Sequence, residues 1–70
     1  MICFYKDDKV LIKVFDQGDD LQLLCNVESQ KERWFSVWQD DKKGSVYNAL
    51  KSVLQALNFE FDIMKISWIK

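Results

Sequence analysis

"SVYNALKSVLQALN", residues 45–58, is where the periodicity of this 70-residue chain changes. Apolar residues fall at 46, 49, 50, 53, 54 and 57, while Asn48, Lys51, Ser52 and Gln55 take the opposite stripe. That spacing predicts an amphipathic helix of about three turns with one face made for burial. Ser45 stands where an N-cap belongs and Asn58 where a left-handed residue ends a helix; Asp40 and Asp41 precede the positive helix end. A helix of ~13 residues is ~20 Å long and needs a second layer to cover its apolar stripe.

The flanking sequence supplies that layer as strands. "MICFY" and "VLIKVF" are apolar runs separated by the polar turn "KDDK", a hairpin signal. "DQGDD" reverses the chain again, with Gly18 free to take a positive φ and Asp16 placed to bond the backbone ahead of it. "LQLLCNV" alternates as a half-buried strand, and after the turn "ESQKE" the stretch "RWFSVWQ" reads as a fourth strand. Beyond the helix, "NFEFDIMKISWIK" returns to alternation, with Phe59, Phe61 and Ile63 facing one way and Ile66 and Trp68 of opposite parity. A slip near Met64 and Lys65 predicts a bulge or bend in this last strand. The expected fold is a single α+β domain, residues 1–70, in the order ββββαβ: an antiparallel sheet of four to five strands with one helix packed on one face.

Parity then sorts the side chains. With tight turns at "DD" and "QG", Cys3, Tyr5, Val10, Ile12, Val14, Leu21, Leu23, Cys25 and Val27 share one face. The other face carries Ile2, Phe4, Leu11, Phe15 and Leu24 among Lys13, Gln22 and Asn26, which is too apolar for an ordinary solvated surface. In the fourth strand Phe35 and Val37 are expected toward the helix and Trp34 and Trp38 away from it, an assignment that the register of "ESQKE" decides. In a meander Cys3 and Cys25 lie two strands apart, ~9.5 Å, beyond disulfide reach, so both are expected as free thiols.

Composition bounds the chemistry. The chain is 49% hydrophobic and 30% charged, with ten basic and eleven acidic residues, so it is built to fold and has no strong net field. No apolar run approaches a membrane span and "MICFYKDDK" lacks a secretory core, so the expected location is cytoplasmic, with no membrane partner. There is no histidine, the commonest general base and transition-metal ligand, and no proline. Cys3, Cys25 and Ser45 have no base placed beside them by spacing, and no enzymatic activity, metal or cofactor is expected. The doublets Asp7/Asp8, Asp19/Asp20 and Asp40/Asp41 fall at turns, where Asp caps the backbone.

What remains is binding. Surplus apolar and aromatic surface marks partner sites, and Trp, Tyr and Arg concentrate binding energy. The expected function is a non-enzymatic protein-binding module, a small regulator or stoichiometric inhibitor of the phage or mobile-element type that acts on a host protein or defence complex by occlusion or allosteric trapping. The partner-binding residues expected are Trp34, Trp38, Trp68, Phe15, Tyr47 and Arg33. Two alternatives stand beside it: a nucleic-acid-binding domain with Arg33, Trp34 and Trp38 beside Lys31, Lys42 and Lys43, which the balanced charge disfavours, and a homodimer subunit.

Overall fold

The computed structural model describes residues 1–38 and 42–69, with side chains given for all of these except 38 and 42–45. Five strands form one antiparallel sheet: β1 (Cys3–Lys6), β2 (Val10–Asp16), β3 (Asp20–Val27), β4 (Arg33–Trp38) and β5 (Ile66–Trp68). The helix α1 (Lys42–Ala56) joins β4 to the segment leading into β5. The spatial order is β4-β3-β2-β1-β5, a four-strand meander with the last strand added beside the first. Helix and chain return therefore carry the backbone from one sheet edge to the other. The order ββββαβ is the one that periodicity implies.

Turn chemistry fixes the meander. Gly18 takes φ 87°, and its N–H donates to Asp16 Oδ1 at 2.9 Å, closing the β2–β3 reversal as the sequence predicts. In the β1–β2 turn the Asp7 carboxylate accepts the Asp8 N–H at 2.7 Å. Ser29, at φ 68°, provides the left-handed step before β4. These reversals hold the registers Tyr5↔Ile12, Ile12↔Cys25 and Leu23↔Phe35, and directly paired residues share a face.

One face is therefore the core. Cys3, Tyr5, Val10, Ile12, Val14, Leu21, Leu23 and Cys25 from the sheet meet Val46, Ala49, Leu50, Val53 and Leu54 from α1, all of them buried. Val27, Phe35, Val37 and Leu57 pack at its margin, which puts Phe35 and Val37 on the helix side as parity predicts. Cys3 and Cys25 are free thiols on strands separated by β2. Ile2, assigned by parity to the opposite face, instead packs against this cluster. It precedes β1, and its N–H bonds Val14 O at 2.9 Å, so strand alternation does not govern it.

Two other expectations change. The helix begins at Lys42, which leaves Ser45 inside the first turns rather than at the N-cap. Asp40 and Asp41 lie outside the described residues. Asn58 does end the helix in the left-handed region, at φ 65°. The stretch 59–62, read as the start of the last strand, pairs with nothing in the sheet, and Ile63–Lys65 is a short 3-10 turn before β5. Phe59 and Phe61 alternate because both lean on the core margin, not because a ladder holds them.

The Tyr5 hydroxyl replaces that ladder. Tyr5 is fully buried, and its Oη donates to Glu60 O at 3.2 Å and accepts from Asp62 N–H at 3.1 Å. Its ring stacks on Phe61 at 5.9 Å. Asp62 Oδ1 then accepts the Met64 N–H at 3.0 Å and caps the 3-10 turn. Lys65 Nζ reaches Asp7 Oδ1 at 2.8 Å.

Candidate functional site

The second face of the sheet has no layer over it among the described residues. Register builds it in cross-strand rows. The longest runs Ser67, Phe4, Lys13, Leu24, Trp34 from β5 to β4; Lys6, Leu11 and Asn26 form the row on one side of it, and Phe15, Gln22 and Ser36 the row on the other. Phe4, Leu11, Phe15 and Leu24 are half-buried by one another and by the sheet's own neighbours. Trp34 stays 57% exposed, its ring 5.7 Å from that of Phe15 and tilted by 42°.

Polar groups on this face divide into two kinds. At one end Ser36 Oγ donates to Asp20 Oδ2 at 2.7 Å, and Gln22 Nε2 donates to Asp20 Oδ2 at 2.9 Å and to Ser36 Oγ at 3.1 Å. This triad satisfies itself across β3 and β4. Lys13, by contrast, stands between Phe4 and Leu24 in the central row. An ammonium on a flexible stem among apolar neighbours offers a charge to an incoming carboxylate.

The expected binding residues are not one surface. Trp34 and Phe15 meet on the open face. Trp38 closes β4 opposite Asp20, with its side chain outside the described set. Trp68 pairs with Cys3 and so lies on the helix side, 47% exposed, where its ring meets Tyr47 edge-on at 6.1 Å. Arg33 pairs with Cys25, also on the helix side, with its guanidinium 5.4 Å from the centre of the Phe35 ring. Strand alternation thus separates Arg33 from Trp34, the two residues that a base-stacking site beside a phosphate contact needs together. Lys13 and the Asp20–Gln22–Ser36 triad were absent from the expected set. The parity that placed Phe15 outward places Lys13 outward as well.

Two open concavities lie around the chain return. One, about 700 Å³, runs between α1 and the Phe59–Phe61 stretch and is lined by Tyr47, Lys51 and Gln55 among others. Its neighbour, about 550 Å³, is bordered by Asp7, Asp62 and Lys65. There the hydrogen bond from Lys65 holds the Asp7 carboxyl below its usual range and raises the Lys65 ammonium above its own. The carboxylate is therefore engaged as an ion-pair partner. The two thiols are sealed in the core, where burial pushes each up to about 11, with Arg33 acting weakly in the other direction on Cys25. Among the described residues no group of three or more His, Cys, Asp or Glu converges as a metal site, and no helix is long and apolar enough to cross a membrane.

Compared with known proteins, the chain matches no family model, no curated protein and no solved structure.

Proposed function

We propose that this protein is a non-enzymatic protein-binding module that engages another protein through the open face of its sheet. The observation that carries this reading is the pairing of Phe15 with a 57% exposed Trp34 on a face without a covering layer among the described residues. Aromatic side chains on such a face bring large contact area with few torsions to freeze, and partner sites concentrate their energy in residues of this kind. The complementary partner surface is apolar, with a carboxylate opposite Lys13. The action proposed is stoichiometric: the module covers a working surface of its target, as a small regulator or inhibitor does.

The test compares wild type with Trp34→Ala and, on the far side of the molecule, Lys51→Ala, each used as bait in a host lysate and read by mass spectrometry. Trp34→Ala keeps the fold, because its ring is mostly exposed, and loses the captured protein; Lys51→Ala keeps both. Equal capture by all three baits refutes the face, and loss of the folded state in Trp34→Ala makes the ring a structural element instead.

A further inference from the structure

The two edges of the sheet are guarded differently. β5 has three residues, follows a 3-10 turn and begins next to Lys65, so it offers little to a neighbouring strand. β4 has six residues, and between Trp34 and Trp38 it contains no charge, proline or bulge. Such an edge presents a row of unpaired backbone donors and acceptors, and proteins that keep an edge solvated usually interrupt it with one of those devices. Among the described residues, no backbone hydrogen bond reaches β4 from outside its ladder with β3.

The sequence of that edge is also self-complementary. Read outward from Ser36 in "WFSVW", residues 34–38, each step meets the same class of residue in both directions: Phe35 and Val37, then Trp34 and Trp38. A two-fold axis normal to a sheet pairs a strand with its own copy antiparallel and keeps each face continuous, which requires paired positions of equal parity. With Ser36 on the axis that condition holds throughout. Trp34 then stands across from the second copy's Trp38, Phe35 from its Val37, and Ser36 from its Ser36. Aromatic and aromatic–β-branched cross-strand pairs are the favourable ones in antiparallel sheets.

We infer that β4 is a homodimerisation edge: two copies pair antiparallel about Ser36 to form one ten-stranded sheet whose open faces run together. The occupant of the edge is a second copy because its pattern is matched by itself. An edge pairing leaves Phe15 and Phe4 uncovered, so it is compatible with any occupant of the open face and does not depend on there being one.

Two measurements test it. Sedimentation equilibrium of the wild-type chain is expected to give the mass of two chains at tens of micromolar, and Ser36→Lys, which sets two ammonium groups opposite each other on the axis, to shift that mass toward one chain while the circular dichroism spectrum is retained. Directly opposed residues in an antiparallel pair have Cα atoms ~4.5–5.5 Å apart, within disulfide range. Ser36→Cys with oxidised glutathione is therefore expected to form a covalent dimer at least tenfold faster than Ser52→Cys, placed on the exposed side of α1. A wild-type chain that stays monomeric to millimolar concentration overturns the proposal, and so does a Ser36→Cys variant that couples no faster than Ser52→Cys. Because the first measurement uses the unmodified protein, a variant that fails to fold does not shelter the idea.

Discussion

Replacing Tyr5 with Phe isolates what two hydrogen bonds contribute to the closure of the sheet. The ring stays, so its packing in the core and its stacking on Phe61 are kept. What goes is the hydroxyl that donates to Glu60 O and accepts from Asp62 N–H. Each such bond is worth roughly 1 kcal/mol net, and a buried group left without a partner costs more. Glu60 and Asp62 are themselves exposed, so water takes over part of the loss at the loop, and the sum comes to about 1–2 kcal/mol. In a domain of this length each kcal/mol moves Tm by about 4–8 °C, which places the variant ~4–16 °C below wild type. Urea unfolding followed by tryptophan fluorescence should show a lower midpoint with an unchanged slope, because the surface exposed on unfolding is the same. The Asp62 amide should exchange with solvent faster in native conditions. A loss below ~0.5 kcal/mol with unaltered Asp62 exchange would refute the reasoning, since the hydroxyl would then be a passenger in a loop held by something else.

The ion pair at the same end of the sheet gives a pH dependence with a definite sign. The Asp7 carboxyl is lowered by its bond from Lys65, so the stability it contributes is complete above the ordinary value of 3.8 and is lost as pH falls through the lowered folded value. Lys65 is raised, so its share is complete below 10.5 and disappears as pH rises through the raised value. Acid and base titrations of Tm should each flatten in Asp7→Asn, and identical profiles in the two proteins would discard the pair as a contributor. The thiols predict a second alkaline effect: stability should fall between about 9 and about 11, where unfolded cysteines ionise and the buried ones do not. At pH 8 Cys3 and Cys25 should resist alkylation until the chain is unfolded. Rapid labelling in native buffer would show that the core opens where the fold keeps it shut.

Much of this architecture is readable from periodicity because the turns are tight and chemically explicit. Gly18 with Asp16 and the "DD" reversal set the register of three strands, and from the register the strand side chains from Cys3 to Val37 fall on the correct face. The helix is readable from Val46 onward, but its first turn holds Lys42, Lys43 and Gly44, which carry no apolar stripe and so leave no periodic mark. Residues 59–62 misled for a physical reason: Phe59 and Phe61 need burial at the core margin, and alternation satisfies that need without a partner strand. The hydroxyl of Tyr5, 55 and 57 positions away from Glu60 and Asp62, is what replaces the ladder, and no local pattern encodes it. The candidate site was legible in its parts but not in its grouping. Trp34 with Phe15 follows from parity, whereas Tyr47 against Trp68 depends on where the helix lies across the sheet.

The hydrogen bond from Ile69 N–H to Ile2 O, 3.0 Å long, makes residues 2 and 69 immediate neighbours at the β1–β5 boundary. Bringing residues 57 positions apart together, as Tyr5 and Asp62 are, costs roughly 3 to 4 kcal/mol of closure entropy, so the β1–β5 seam should be the last part of the sheet to assemble and the first to open. A short linker across that seam makes the closure local, and a new opening at the Ser29 turn makes β5 and β1 consecutive strands while β3 and β4 become the remote pair. Such a circular permutant keeps every strand pairing of the sheet while moving the long-range closure from the β1–β5 seam to the β3–β4 seam, and it carries its new ends to the edge where β4 lies.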